Sequence, residues 1–382
     1  MDFNLTSEQE MIRVMVKDFT EQNIKPVAAR LDEEKQFPYE NLKKMADLGL
    51  MGMNIPSDFG GSEVGVVAYS LAITEIAKGC ASHAVTTSVT NMVGEVIHEF
   101  GKEDMKRKHV PKLCRGVYPA GSFALTEPHA GSDAGNIRTL ATRQQDSYVL
   151  NGTKTLISSG DVSGVTVVWA VTDLDAPKGK GISAFVVEKG TPGFIIGKTE
   201  EKMGQRASPT NELIFDQCAL SKDCLLGNEG EGFIIAMREL DGGRIGIASL
   251  AIGAGLATID FAREYVKGRE AFGQPLASFE AIQWMIADSY TELEAAQLLA
   301  LRAALLKETH QPFTKEASMA KLFATETARN VALRAVQMLG GYGYTRDYPV
   351  ERYLRDIIGT TLYEGTSEIQ RIVISREILK DR

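Results

Sequence analysis

The sequence is poor in the residues that bind structural metals or form disulfide frameworks. Only four cysteines and five histidines occur among its 382 residues. The cysteines form no C-x-x-C pair, and their spacing fits neither a zinc site nor a disulfide framework. No histidine pair at helical spacing combines with a carboxylate in a metal-binding pattern. We therefore expect a protein without a structural metal, in a reducing compartment.

Excess positive charge and long apolar runs are also missing. The net charge of −8 and the pI of 5.4 argue against nucleic acid or an anionic membrane as the main partner. The one basic run, residues 106–109, follows two acidic residues and is typical of a solvated helix end. No charged-then-apolar leader and no uninterrupted apolar run of about 18 residues occurs. We expect a cytoplasmic protein without membrane insertion.

What is present is the composition of an ordinary globular chain, with 44% hydrophobic and 24% charged residues. The length favours two or three domains over a single core. Apolar periodicity changes twice along the chain, from helical to strand-like and back. We predict an α+β fold with a helical domain over residues 1–120, a β domain over 121–228 and a helical bundle over 229–382.

Local signals set the expected elements. Ser7-x-x-Glu10 has the spacing of a capping box, and Pro38 suits the first turn of the next helix. Helical patterns follow over residues 66–77, 84–100 and 103–113. In the middle third, Asn151-Gly152 between two strand-like segments predicts a β-hairpin. Further strands are expected over residues 165–171, 182–187, 193–198 and 212–215.

The last third is predicted to be four or more long helices. The patterns cover residues 233–240, 245–266, 279–308 and 315–339, and a final helix follows Gly365. Helices of this length with short links favour a four-helix bundle. Gly253-x-Gly255 is the nearest match to a dinucleotide-binding fingerprint, but it lies inside a predicted helix and lacks the third small residue. Nicotinamide binding is therefore not expected.

Residues 361–370 (TLYEGTSEIQ) place a carboxylate between an aromatic residue and a glycine, just before a helix. Ser367-x-x-Gln370 again has capping-box spacing. Glu364 would lie at a loop-to-helix junction, where burial can tune its basicity. Taken alone, the stretch is more typical of a surface turn.

Three loops offer small residues, hydroxyls and backbone groups to a planar ligand: residues 123–133, 203–210 and 240–244. Each alone could be an ordinary connection. Taken together with R-x-A-F-G at 269–273, Q-M-L-G-G-Y-G-Y at 337–344 and Y-E-G-T at 363–366, they resemble the acyl-CoA dehydrogenase family of flavoproteins. The motifs occur in the family's order and span nearly the whole chain. The segment 240–247 and the compact length are most similar to the short-chain, butyryl-CoA-type branch.

The resemblance implies the acyl-CoA dehydrogenase fold, with a β-barrel-like middle domain, and a homotetramer built as a dimer of dimers. It also implies FAD between the middle domain and the bundle. The cofactor-binding residues it implies within one subunit are Phe123, Leu125, Thr126, Ser132, Leu156, Ile157, Ser158, Thr366 and Glu368. Arg269, Gln337 and Gly341 are implied to act at the FAD bound by a neighbouring subunit, and Phe272 is a further implied cofactor-binding residue.

For the substrate, the resemblance implies an acyl-CoA thioester held by Ser132, Asp241, Arg244, Tyr363 and Gly365. Glu364 would take the α-proton while the β-hydrogen leaves as hydride to flavin N5, giving the 2-enoyl-CoA. Some relatives carry the base at the position of Gly243, so Glu364 is the candidate that the motifs leave here. A pathway of fatty acid or carboxylic acid degradation and an electron-transfer flavoprotein or similar acceptor are implied as well.

The chain departs from the family pattern at several positions. Leu156 replaces a tryptophan that shields the flavin edge, Glu280 replaces a glutamine near the cofactor, and His83 stands where glutaryl-CoA dehydrogenases bind a substrate carboxylate. Thr87 and Asn91 would lie near the acyl tail, which favours a branched, cyclic or functionalised acyl group. Ordinary hydroxyl bonding within the helix is the alternative. An acyl-CoA oxidase and a non-catalytic flavin or acyl-CoA binding protein of the same fold are the rival functions.

Overall fold

The computed structural model describes residues 4–380, which begin with a helical third. Its helices are α1 (Ser7–Phe19), α2 (Ala28–Glu34), α3 (Tyr39–Asp47), α4 (Val66–Gly79), α5 (Ala81–Phe100) and α6 (Glu103–Cys114). The capping box of α1 lies one residue before the predicted one. Thr6 Oγ1 accepts from the backbone N–H of Gln9 at 3.2 Å, and Gln9 Oε1 accepts from the backbone N–H of Thr6 at 3.0 Å. The predicted pair of Ser7 and Glu10 is therefore wrong by one position.

An eight-stranded sheet forms the middle third. Its strands are β1 (Gly121–Ala124), β2 (Leu140–Gln144), β3 (Ser147–Ser158), β4 (Val165–Val171), β5 (Ile182–Glu188), β6 (Phe194–Thr199), β7 (Thr210–Ser221) and β8 (Leu225–Leu226). The order is β6-β7-β3-β2-β4-β5-β8, with β1 parallel to β4. Trp169 and Phe185, both fully buried, are among the largest side chains of its two faces.

The hairpin predicted at Asn151-Gly152 is wrong. The strand β3 continues through these residues and pairs with β7 on both sides of them, with a register shift between Leu150 and Gly152. Asn-Gly here serves a β-bulge, which needs the same backbone freedom as a turn. The actual hairpin joins β2 to β3 at Gln145, whose φ is 50°.

The last third consists of α7 (Gly232–Gly268), a small ribbon of β9 (Glu270–Ala271) and β10 (Gln274–Pro275), α8 (Glu280–Glu308), α9 (Thr314–Leu339), α10 (Val350–Thr360) and α11 (Ser367–Leu379). The predicted break at residues 240–244 is wrong, because α7 is one helix of 37 residues. Alanines on the buried sides of α8 and α9 let the bundle helices approach closely. They are Ala296, Ala300, Ala303, Ala304, Ala317, Ala320, Ala324 and Ala328.

By length and apolar composition, α7 could span a membrane, but 78% of its most apolar window is buried inside the fold. It packs against α4, α5, α8 and α9 and is the central helix of the molecule. Helical, β and helical thirds follow one another as the sequence indicates; their limits at residues 120 and 228 stay a prediction.

Candidate active site

A cavity of about 500 Å³ lies between the β sheet, α5, the first half of α7 and the start of α11. It brings together most of the residues singled out in the sequence. Those from the β domain are Phe123, Leu125, Thr126, Ser132, Leu156, Ile157 and Ser158, and those from the helical bundle are Arg244, Tyr363, Glu364 and Gly365. Residues separated by more than 200 positions in the sequence thus share one site.

Two consecutive left-handed residues aim the side chain of Glu364 at this cavity. Glu364 has a φ of 51° and Gly365 a φ of 88°. The helix α11 then begins at Ser367, with Thr366 as its N-cap accepting from the backbone N–H of Ile369 at 3.4 Å. The predicted N-cap, Ser367, is therefore wrong by one residue. The turn holds a non-glycine residue in a conformation that costs free energy, which is typical of functional sites.

The carboxylate of Glu364 reaches α7 at a glycine. A Cβ atom on Gly243 would lie 2.4 Å from Glu364 Oε2 and 3.0 Å from Met92 Sδ, so this position of the helix must be a glycine. Glu364 Oε2 is buried and has no hydrogen-bond partner within the described chain. Burial raises the pKa of Glu364 to about 7, and the charges of Lys321 and Arg244 oppose that rise. An unpaired carboxylate of this kind is free to bind a proton from a ligand.

Arg244 is fixed at the cavity wall by its neighbours. Its Nη1 donates to Asp241 Oδ1 at 2.5 Å and to Ser318 Oγ at 3.1 Å, while Asp241 Oδ2 accepts from Thr314 Oγ1 at 2.5 Å. Arg244 Nε is buried without a partner among the described residues. Asp241 itself opens on an adjacent cleft rather than on the cavity. Asp241 therefore orients the arginine, whose remaining donor can serve a ligand.

The opposite wall is suited to a planar apolar group. The register of β3 with β7 shifts between Lys154 and Ile157, and Leu156 at this bulge has a φ of 57°. Its side chain is 61% exposed and lines the cavity. An apolar side chain presented in this way, beside the hydroxyls of Thr126, Ser132 and Ser158, fits the ring and polar chain of a flavin. The residues present therefore fit FAD.

A buried ion pair braces the loop that carries Thr126. Lys154 Nζ donates to Glu127 Oε1 at 2.8 Å and to the carbonyl of Leu125 at 3.1 Å. Glu127 also accepts from the backbone N–H groups of Arg138 at 2.6 Å and Thr139 at 2.9 Å. Both charged side chains are almost fully inaccessible to solvent, at 0% and 2% exposure. The loop is thus anchored in the sheet through its own acidic residue.

Neither Thr87 nor Asn91 lines the cavity. Thr87 Oγ1 donates to the carbonyl of His83 at 2.9 Å, which is the helix-internal bonding considered as the alternative. Asn91 donates to the carbonyls of Leu50 and Thr87, both at 2.9 Å, and accepts from the backbone N–H of Met53 at 2.7 Å. The side chains of α5 that do line the cavity are Val85, Val89 and Met92. The acyl-contact role expected for Thr87 and Asn91 is therefore not supported.

Six other predicted residues also lie outside the cavity lining. Arg269, Phe272, Gln337 and Gly341 are exposed where α7 and α9 end, with Phe272 95% exposed. Tyr348 contacts Tyr265 at 5.5 Å and Tyr342 at 5.7 Å between ring centroids, which joins these two chain segments. Thr366 and Glu368 lie at the start of α11. A role of the exposed group in FAD binding stays a prediction that requires a neighbouring subunit.

Sequence reasoning missed two polar residues beside Glu364. Gln205, with a φ of 51°, donates from Nε2 to Tyr363 Oη and to the carbonyl of Asp356, both at 2.9 Å. Lys321, on α9, is fully buried and donates from Nζ to the carbonyl of Gly365 at 2.7 Å. Gln205 lies in the loop 203–210, which was singled out for its small residues, hydroxyls and backbone groups and not for its amide side chain. Lys321 stands in a helical pattern where a single lysine predicts an exposed position.

Comparison with known proteins gives matches along the whole chain. Three family models match in succession: the acyl-CoA dehydrogenase N-terminal domain at residues 6–117, the middle domain at 122–218 and the C-terminal domain at 230–379. The chain is 46% identical over its full length to the full-length "Acyl-CoA dehydrogenase, short-chain specific" of Clostridium acetobutylicum. It is 49% identical to the "Acryloyl-CoA reductase (NADH)" of Anaerotignum propionicum, covering 100% of this chain and 96% of the other.

Among solved structures, the butyryl-CoA dehydrogenase of Megasphaera elsdenii superposes with a TM-score of 0.97. That protein is 41% identical to this chain, and the alignment covers both chains fully. Sequence motifs, fold and cavity therefore agree with one another.

Proposed function

We propose, from the premise that the chain belongs to the acyl-CoA dehydrogenase family, that Glu364 is the base of an α,β-dehydrogenation of short-chain acyl-CoA. The observation that carries the proposal is the unpaired, buried Oε2 of Glu364 in a cavity whose walls are otherwise mainly apolar. A carboxylate whose pKa is raised to about 7 is a stronger base than an ordinary one, yet a large fraction remains ionised at neutral pH.

FAD is the cofactor, since the family is FAD-dependent. We assign Phe123, Leu125, Thr126, Ser132 and the segment 156–158 to its binding. When bound, it supplies the two-electron oxidant that accepts the β-hydrogen as hydride. The chain itself holds the ligand with Arg244, excludes water with the apolar wall of α5, and takes the α-proton at Glu364 Oε2.

The acyl group that fits best is short. Val85, Val89 and Met92 form an apolar wall of the cavity. Met92 Sδ and Glu364 Oε2 both lie close to Gly243, where α7 has no side chain. One helical turn further along α7, a Cβ on Gly246 would lie 2.3 Å from Ser88 Oγ and 2.4 Å from Tyr69 Oη. These hydroxyls form a hydrogen bond at 2.9 Å, so α4, α5 and α7 are in close contact at this point. This close packing beside the cavity is consistent with a short acyl chain.

The assembly, acceptor and location follow from the family as proposals. We propose a homotetramer in which the exposed residues Arg269, Phe272, Gln337 and Gly341 meet the FAD of a neighbouring subunit. We assign a cytoplasmic location and an electron-transfer flavoprotein or similar acceptor. Leu156, exposed at the bulge of β3, lies at the wall through which electrons would leave.

A second candidate is the same chemistry in the reducing direction. The 49% identical relative is named an acryloyl-CoA reductase, and the same base could return a proton to the α-carbon of an enoyl thioester. Because catalysis accelerates both directions, the cavity geometry is compatible with either. The redox partner would then decide the physiological direction.

The test is anaerobic titration of the purified protein with butyryl-CoA, longer acyl-CoAs and branched acyl-CoAs. We expect one FAD per chain on denaturation and bleaching of the flavin absorbance by butyryl-CoA. Peroxide formed one to one with product in air would indicate an oxidase. Tight binding of acyl-CoA without bleaching would leave only a binding protein and contradict the proposal.

A further inference from the structure

The turn that carries Glu364 is held from behind by a buried lysine, and we propose that Lys321 is a positioning residue that fixes this turn and keeps the base negatively charged. The inference rests on the proposed function, since it assigns a role toward the same base. Lys321 lies on α9, which begins more than 40 residues before the turn in the sequence.

The geometry of the turn depends on two donors that bind its carbonyl oxygens. Lys321 Nζ donates to the carbonyl of Gly365 at 2.7 Å. Gln370 Nε2, one turn into α11, donates to the same carbonyl at 2.9 Å and to the carbonyl of Glu364 at 3.0 Å. Both residues of the turn are left-handed, so the two carbonyls would otherwise lack the partners that a helix or strand supplies. The lysine and the glutamine therefore hold the backbone that aims Glu364.

Only the lysine adds charge. Lys321 is 0% exposed, and burial lowers its pKa to about 8, while the charge of Glu364 opposes that change. In the other direction, Lys321 is the largest influence that lowers the pKa of Glu364 against the effect of burial. A buried cation near a carboxylate favours its ionised form. Without it, Arg244 would be the remaining cation that opposes burial, so more of Glu364 would be protonated at neutral pH and unable to accept the α-proton.

The other titratable groups near Glu364 come from three segments. Arg244 on α7 is a second cation, but Asp241 pairs with it at 2.5 Å and offsets part of its charge. Tyr69 on α4 and Tyr363 next to the base both have pKa values raised by burial, so they stay neutral. The charges of Glu326 on α9 and Glu368 on α11 also act on Lys321, but within the described chain no carboxylate contacts its ammonium group directly.

The experiment compares Lys321→Met with Gln370→Met in the FAD-loaded protein. Stopped-flow flavin reduction by butyryl-CoA is followed without oxygen between pH 6 and 9. For Lys321→Met we expect the acid limb of the rate profile to move from near pH 7 to ~8 or above, with a loss of about fivefold or more at pH 7 and partial recovery at pH 9. Lys321→Arg keeps the charge and should keep the acid limb near its wild-type position.

The glutamine variant separates charge from geometry. Gln370→Met removes two hydrogen bonds to the same turn without removing a charge, so the rate should fall at every pH with the acid limb unmoved. A purely structural role for Lys321 would give this same pattern for Lys321→Met and overturn the proposal. Should Lys321→Met not fold, Lys321→Gln can still bond the Gly365 carbonyl without the charge, and the same shift is expected.

A second readout does not depend on catalysis. Infrared difference spectra of the FAD-loaded protein without substrate, with Glu364→Gln as the subtraction, follow the titration of this one carboxyl group. Its midpoint should rise in Lys321→Met, and an unchanged midpoint would contradict the role of Lys321 whatever the kinetics show. If no acyl-CoA reduces the wild-type flavin, the proposed function fails, yet this titration still decides whether the lysine acts on Glu364.

Discussion

Among the described residues, two lysines are completely buried near a glutamate, Lys154 in the β sheet and Lys321 in the helical bundle, and they behave differently. Lys154 contacts Glu127 at 2.8 Å, and both oxygens of that carboxylate are bonded to nitrogen donors. Lys321 binds a backbone carbonyl instead, and Oε2 of Glu364 remains without a partner in the described chain. The same two residue types therefore form a direct ion pair in the sheet, whereas in the helical domain one carboxylate oxygen is left without a partner among the described residues.

The difference separates a structural pair from a reactive one. For Glu127, burial raises the pKa, but Lys154 and the two backbone donors outweigh it and hold the pKa below its usual value. For Glu364, the effect of burial is larger than the opposing effect of the nearby cations, and the pKa rises to about 7. A carboxylate whose lone pairs are all occupied cannot take up a proton near neutrality, whereas one with a free oxygen can. Variants of Glu364, Lys154 and Glu127 test whether this distinction holds.

Removing the carboxylate of Glu364 should have the largest effect, on the rate of flavin reduction. Glu364→Gln keeps size and hydrogen bonding but not basicity, so flavin reduction by butyryl-CoA should fall by roughly 10² to 10⁴-fold. FAD content and acyl-CoA binding should survive, because neither depends on proton transfer. Stopped-flow reduction measures the loss, and Glu364→Asp should retain more activity. Reduction at the wild-type rate would place the base elsewhere.

Breaking the ion pair between Lys154 and Glu127 should reduce stability and not the rate of flavin reduction. Lys154→Met leaves the Glu127 charge buried and unpaired, and breaking a buried pair in this way costs about 3 to 5 kcal/mol. Thermal and urea unfolding measure the change. Lys178→Met is the matched control, since its pair with Asp133 at 2.7 Å is exposed and worth at most about 1 kcal/mol. Equal stability of the two variants would show that the buried pair is not an anchor.

The two glutamates should also give opposite pH dependences of stability. The pKa of Glu364 is about 7 in the folded protein against 4.5 for the free side chain, so its stabilising contribution is complete below about pH 4.5 and is lost as pH rises through 7. In cofactor-free protein, the free energy of unfolding of Glu364→Gln should therefore rise relative to that of the wild type between pH 5 and 8, by at most about 3 kcal/mol. For Glu127, whose pKa is lowered, the wild-type advantage over Glu127→Gln should shrink as pH falls. Parallel curves for the two variants would contradict the comparison.

The smallest expected effect concerns the acyl tail. Met92→Ala should enlarge the cavity beside Glu364 and shift preference from butyryl-CoA toward hexanoyl-CoA, by no more than about 10 to 200-fold in the ratio of kcat/KM values. Val93→Ala, on the same helix but away from the cavity lining, controls for lost stability. An unchanged ratio in Met92→Ala would mean that another side chain limits the acyl group.

The sequence predicted the three-part fold and many of the residues that line the cavity, because motifs and periodicity are local or family-wide signals. On α5, however, it indicated Thr87 and Asn91, whereas Val85, Val89 and Met92 line the cavity. It failed at Asn151-Gly152 and at residues 240–244, where glycines that usually mark turns serve a bulge and a close approach inside a helix. It also failed for Lys321. A buried lysine runs against the polar pattern of helix α9, and the carbonyl that binds its ammonium group comes from a distant turn.

The continuous helix α7 has one more consequence. Its 37 residues span about 55 Å, and the same rod carries Arg244 at the cavity and ends beside Arg269 at the exposed end of the bundle. Inserting or deleting a single residue between the two arginines would turn one of them by about 100° around the helix axis relative to the other. Outside tightly packed glycines such as Gly246, substitutions along this stretch can be absorbed by local repacking, but changes in its length cannot. Related sequences should therefore differ in the residue types of this segment but not in the number of residues between the two arginines.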